Sequence, residues 1–168
     1  MLLIPPRYES VTGPLVFLAG PIQGAPDWQA EAIAWFSAQA PQLNIASPRR
    51  EYAPGEFDHA AQMDWESHYL RRAAQCGVIL FWLARESLEI SGRSYAQTTR
   101  FELAEWKVRH ENDGTQLVVG IEDGFSGARY IRRRYAQDCP SVPVVTSLAE
   151  ACQLAVKLSY GEQDVRAQ

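Results

Sequence analysis

Three short segments of this 168-residue chain carry residue types whose spacing can do chemistry. In Thr98-Thr99-Arg100-Phe101-Glu102, a carboxylate falls in the first turn of an expected helix. Two readings stand there: Thr99-x-x-Glu102 is a capping box that turns the carboxylate back on the helix start, or the positive helix end holds Glu102 ionised and aimed into a crevice. In the second case Glu102 is a nucleophile for an electrophilic carbon. In Gln62-Met63-Asp64-Trp65-Glu66, Gln62 and Glu66 lie one turn apart on one helix face. They either sit in solvent near a helix start, or Glu66 joins Glu102 in one pocket. Two carboxylates about 5 Å apart suit a covalent, retaining route at a glycosidic carbon. The third segment, Ala19-Gly20-Pro21-Ile22-Gln23-Gly24, matches neither GxGxxG nor GxxxxGK[ST], which leaves a dinucleotide fold and a P-loop poorly supported. Its glycines either simply turn the chain or let backbone N–H groups approach a sugar or phosphate, with Trp28 offering a flat face to a base.

Alternating apolar runs and helical periods place these segments. Leu15 to Ala19 reads as a strand ending at Gly20-Pro21, and Trp28, Ala32, Trp35 and Phe36 then recur at helical spacing behind an N-cap at Asp27. Leu43 to Ala46 is a short strand followed by a Pro-, Gly- and charge-rich stretch from Ser47 to Ala61. A helix over Gln62 to Gln75, with Tyr69, Leu70, Ala73 and Ala74 on one side, feeds Val78 to Leu83. That run is apolar on both alternating faces and predicts a central strand of a parallel sheet. A second long loop, Ala84 to Ala96, precedes a helix from about Gln97 to His110. Strand Leu117 to Ile121, a basic helix over about Gly127 to Ala136 and strand Val142 to Val145 follow. The last helix opens on the capping box Ser147-x-x-Glu150 and carries a Leu148, Ala151, Cys152, Ala155 stripe.

Five strands alternating with five helices predict an α/β three-layer sandwich with a five-stranded, mostly parallel, flavodoxin-like sheet. Ligands of such sheets sit beyond the carboxyl ends of the strands where strand order reverses, which points to the loops Gly20 to Asp27 and Ala84 to Ala96. Phe57, Tyr52 and Tyr95 are candidate covers for that crevice, and Arg85 either lines it or anchors a loop carboxylate. The candidate substrate-binding set is therefore Ala19, Gly20, Pro21, Asp27 and Trp28 from the first loop, with Phe57, Gln62, Arg85 and Thr99 from the others.

Composition narrows the function classes. A formal charge of −4 from 20 acidic and 16 basic side chains, with cations clustered only between Arg129 and Arg134, argues against a nucleic-acid footprint. The longest apolar run falls far short of the ~20 residues that span a bilayer, and Met1 to Pro6 lacks the features of an export signal. The expectation is one soluble, cytoplasmic domain over residues 1–168, with a frayed polar tail after Tyr160. Cys76, Cys139 and Cys152 are odd in number without CxxC spacing, and His59, His68 and His110 form no ligand pattern, so neither disulfide nor metal is expected.

Four segments taken together resemble the nucleoside 2-deoxyribosyltransferase family, particularly its bacterial second branch: Val16-Phe-Leu-Ala-Gly-Pro21 with Trp28, Gln62-x-x-Trp65-Glu66, Ile79-Leu-Phe-Trp82 followed by Arg85, and Thr99-Arg-Phe-Glu-Leu103. The similarity runs from about Leu15 to Ile121. It implies an enzyme of nucleotide salvage that cleaves the N-glycosidic bond of a deoxynucleoside and passes the sugar to another free nucleobase through a glycosyl-glutamate ester. Glu102 matches the nucleophile, Glu66 the glutamate of the Trp-Glu pair, and Gly20 and Pro21 the loop lining the base pocket. No cofactor is implied, and a homodimer or larger homo-oligomer is. Two positions depart from the pattern: Tyr69 stands where an aspartate is usual, and Ala104 where glycine is. The first loop has no serine, unlike that of related hydrolases acting on nucleoside 5′-monophosphates, which implies an unphosphorylated nucleoside. An N-glycosidase using the same residues and an inactive nucleoside-binding module are the alternatives.

Overall fold

Six parallel strands run through the molecule in the order β1-β3-β2-β4-β5-β6. The computed structural model describes residues 1–53 and 55–161, so the expected frayed tail lies outside the described residues apart from Gly161. In chain order the elements are β1 (Leu2–Leu3), β2 (Leu15–Ala19), α1 (Trp28–Gln39), β3 (Asn44–Ala46), α2 (His59–Cys76), β4 (Gly77–Leu83), α3 (Gln97–Asp113), β5 (Leu117–Ile121), α4 (Ala128–Asp138), β6 (Val144–Val145) and α5 (Leu148–Tyr160). Without β1 the order is that of a flavodoxin-like sheet, and the three-layer α/β sandwich is as expected. The sheet has a sixth strand, because Leu2 and Leu3 pair in parallel with Ile45 and Ala46 at the outer edge.

Side-chain alternation builds the layers. Phe17, Ala19, Ile79, Phe81, Leu83, Val119 and Ile121 point to the face covered by α2, α3 and α4, where Trp65, Tyr69, Leu103, Trp106 and Tyr135 meet them. Val16, Leu18, Val78, Leu80, Trp82 and Val118 point to the other, where α1 and α5 supply Trp28, Ala32, Phe36, Ala151 and Ala155. β2, β4 and β5 are each buried along both faces except at Gly77, as parallel strands require. The α5 stripe of Leu148, Ala151, Cys152 and Ala155 is buried, and Ser147 Oγ accepts from the Glu150 N–H at 3.4 Å as its cap.

One helix start differs from expectation and one is as expected but capped differently. α2 begins at His59 because Asp58 Oδ1 accepts from the N–H groups of Ala60 and Ala61 at 2.9 and 3.1 Å, three residues ahead of the expected start. α3 begins at Gln97, as expected, behind Ala96, which adopts a left-handed conformation at φ 54° with no side-chain cap. Thr99 is thus inside the helix and buried, and the capping box with Glu102 is not formed.

Trp82 sits at the centre of this scaffold, at the carboxyl end of β4 and under α5. Its six-membered ring lies flat against the backbone of Gly120 on β5, so that a methyl group on Gly120 would overlap it. Gly120→Ala should therefore lose about 1–3 kcal/mol by overpacking, read as a lowered urea midpoint at unchanged slope. Unchanged stability would show that the ring can move aside.

Candidate active site

Strand order reverses around β2, whose neighbours β3 and β4 carry the chain off in opposite directions, so their carboxyl ends leave a crevice between the following loops. The loops 20–27 and 84–96 are fastened together across it. Gly24 O accepts from the N–H groups of Ser87 and Leu88 at 2.8 and 3.1 Å and from Ser87 Oγ at 3.0 Å, and Arg93 donates to Gln23 Oε1. Gly24 has φ +76°, and a Cβ there would stand 2.7 Å from Leu88 O, so the clasp needs glycine on both counts. Tyr95 closes the inner side: its O–H donates to Ala84 O at 2.7 Å, and burial, with Glu86 and Glu122 nearby, pushes it up to about 12.

The first loop reaches the crevice differently from the sequence reading. Trp28 is 2% exposed, and its indole N–H donates to Pro21 O at 2.9 Å. It cannot offer a face to a base. It supports the loop from beneath, with ring atoms so close to Gly20 that a Cβ there would stand 2.7 Å from Cζ2. The helical stripe it shares with Ala32 and Phe36 was the signal for burial. Asp27 caps α1 by accepting from Ala30 N–H at 3.0 Å and pairs with Arg49 Nε at 3.4 Å. Ala19 and Pro21 are buried, and Gly20 is half-buried at the strand end.

Glu66 on α2 and Glu102 on α3 lie near enough for the Glu66 charge to act on Glu102, on the face of the sheet opposite α1. Both are half-buried. Burial is the larger cause that raises the Glu102 carboxyl, followed by the charges of Glu66 and Glu105, and together they bring it to about 8. Glu102 is in the second turn of α3, where the field of the helix end has fallen off, and desolvation outweighs it. Burial raises Glu66 as well, offset by a hydrogen bond from Gln62 and by His59.

Gln62 is fully engaged. Its Nε2 donates to Glu66 Oε1 at 2.7 Å and to Pro48 O at 3.0 Å, while its Oε1 accepts from the Tyr52 O–H. Both its N–H groups are thus spent within the protein, and only the second lone pair of Oε1 is open to a ligand. Tyr52 is in turn held by the Arg50 guanidinium 4.1 Å over its ring and by Phe57, packed edge-on at 4.9 Å between centroids. Phe57 is half exposed.

Thr99 is buried within α3, one turn before Glu102. Arg85 is exposed, and its backbone N–H, not its guanidinium, anchors a loop carboxylate, donating to Glu122 Oε2 at 2.7 Å. Glu122 was not legible beforehand, since nothing in its spacing marks it. Tyr69, at the position of the usual aspartate, is fully buried with its O–H bound to the backbone of Glu9, so it handles no proton in the crevice. Among the described residues no three His, Cys, Asp or Glu side chains are placed to hold a metal ion, and no helix is long and apolar enough to cross a membrane.

The arrangement is thus two coupled carboxyls, one of them steered by an amide, at the ligand-binding edge of a flavodoxin-like sheet. A carboxyl group raised in the folded protein stabilises it below the unfolded value and loses that contribution as pH rises through the folded value. Glu102→Gln should therefore match the native chain in thermal stability near pH 4 and exceed it by about 1–3 kcal/mol above pH 8. Melting curves from pH 4 to 9 that stay parallel would refute the burial of the charge. A family model described as nucleoside 2-deoxyribosyltransferase like matches residues 13–125. No curated protein matches the chain.

Proposed function

The chain belongs to the nucleoside 2-deoxyribosyltransferase-like family, and on that premise we propose that it transfers 2-deoxyribose between nucleobases by way of a covalent glycosyl-Glu102 ester. The observation that carries this reading is that Glu66 and Glu102, both half-buried, act on one another from α2 and α3, the helices that follow β3 and β4 and start beyond their carboxyl ends. In the first half-reaction the bond from C1′ to the base nitrogen breaks, its electrons leave with the base, and a Glu102 oxygen bonds to C1′. Positive charge that gathers on the sugar ring in the transition state is stabilised by the carboxylates. A second base then attacks C1′ from the vacated side and releases Glu102.

Several features support that assignment. Gly20 and Pro21, held from below by Trp28, give a rigid loop edge against which the nucleoside can be positioned. The clasp between Gly24 and Ser87–Leu88 limits water around an intermediate that hydrolysis would waste. The half-buried setting of both glutamates strengthens every charge interaction there. We also propose that the protein works as a homodimer or larger homo-oligomer, with an unphosphorylated deoxynucleoside and a free nucleobase as its substrates.

Deoxyinosine or thymidine incubated with free adenine should give deoxyadenosine, followed by chromatography. Glu102→Ala should lower the exchange rate by about 10³-fold or more, and Glu66→Gln by a smaller factor. Full exchange in Glu102→Ala would end the assignment, and free deoxyribose formed at a rate independent of adenine would replace transfer by hydrolysis.

A further inference from the structure

Glu66 gives one carboxyl oxygen to the protein and keeps the other free. Its Oε1 accepts from Gln62 Nε2 at 2.7 Å, while Oε2 has no partner among the described residues and is not sealed from solvent. The Gln62 amide is held the right way round for this. Its second N–H donates to Pro48 O, which can only accept, and its Oε1 takes the Tyr52 O–H. Pro48 stands two residues past β3 and Tyr52 in the same loop, so these bonds place the Glu66 side chain beside that loop at the carboxyl end of the sheet. Trp65, next in sequence, is fully buried with its indole N–H on Arg7 O, which fixes the helix at that point. The amide donor on Oε1 favours the ionised form of Glu66. What results is a half-buried acceptor of fixed orientation with one free oxygen.

A carboxylate of this kind takes a hydrogen bond from an O–H or N–H of a ligand and repels a phosphate. Base exchange brings different bases through one site but always the same sugar, and an acceptor that cannot be re-aimed suits the part that stays constant. We propose that Glu66, positioned by Gln62, recognises a free hydroxyl of the deoxyribose and excludes a phosphate at that hydroxyl. This rests on the transfer reading above and names the group that selects its unphosphorylated substrate. The sugar offers two hydroxyls of the same chemistry, 3′ and 5′. The nearby cations leave a phosphate without a counterpart. Of the four arginines in the loops after β3 and β4, Arg49, Arg50 and Arg93 are engaged by Asp27, Glu56 and Gln23, and Arg85 lies against Gly124 beyond β5.

Equilibrium binding to Glu102→Gln, which has no carboxylate to form the ester, separates recognition from turnover. Isothermal titration calorimetry compares thymidine with 3′-deoxythymidine, 5′-deoxythymidine and the 3′- and 5′-monophosphates of thymidine. One deoxy analogue should bind about 10- to 100-fold more weakly than thymidine, and the monophosphate at the same position should also bind more weakly. Adding Glu66→Ala should remove most of both differences. Adding Glu66→Gln, which keeps the shape without the charge, should restore the monophosphate more than the deoxy analogue. Gln62→Met should lessen the preference for the hydroxyl, whereas a merely structural loss would weaken every ligand alike. Both deoxy analogues binding as tightly as thymidine, or a preference that survives in Glu66→Ala, would overturn the proposal. If Glu66→Ala does not fold, a monophosphate still rejected by Glu66→Gln overturns it alone. A Glu66 variant that reorders thymidine against deoxyinosine with the hydroxyl preference intact would show that Glu66 reads the base, and overturns it too. Failure of base exchange in the native chain refutes the transfer reading and leaves the hydroxyl preference measurable.

Discussion

Burial of the Glu102 carboxyl, with the charges of Glu66 and Glu105 adding to it, raises it far enough that it keeps its proton near neutral pH. Holding a carboxyl in such a setting demands a scaffold that does not relax to hydrate it. α2 and α3 supply it. Glu66 is anchored by Trp65, fully buried beside it with its indole N–H on Arg7 O at 2.8 Å, and Glu102 by Leu103 and Trp106 on the buried side of α3. α2 packs on β2 and β4 and α3 on β5, strands whose buried faces leave little room for a shift. The cost of that burial is offset by packing elsewhere in the core, the usual way that an unfavourable arrangement persists at a working site.

The loops follow the same logic at the crevice mouth. The clasp on Gly24 and the Arg85 amide on Glu122 tie the loop after β4 to the loops after β2 and β5, and the Tyr95 bond to Ala84 O closes that loop on itself. Trp28 and Trp82 then lie under the sheet edge rather than in it, with Gly20 and Gly120 giving them space. The aromatic residues near the edge are mostly structural, and the chemistry falls to groups that are small in number and closely held.

Much of this could be read from residue order. The runs at β2, β4 and β5 are apolar at every position that a two-sided parallel strand needs, which fixed the fold class and the strand order. The α5 cap and stripe were equally plain. β1 was not, because two residues pairing only at an edge leave no periodic trace. The start of α2 was hidden by the loop-like composition around Asp58. Glu66 and Glu102 were singled out by spacing, but their protonation depends on burial, which spacing does not carry. Gln62 and Glu66 one turn apart suggested a shared face; that Tyr52 and Pro48, in the loop 47–58, would engage the rest of the amide was beyond reach. Trp28 was misjudged in the opposite way: its stripe with Ala32 and Phe36 signalled the core, while its place at a loop end suggested ligand.

The central claim is that Glu102, and not Glu66, takes the sugar. A 2′-fluoro deoxynucleoside slows the release of a glycosyl ester, so the protein can be quenched during turnover, digested, and its peptides weighed. One fluorinated deoxypentosyl group on the peptide at Glu102, absent from Glu102→Gln, is the result predicted. The same group on Glu66, or steady turnover with neither glutamate labelled, would contradict it.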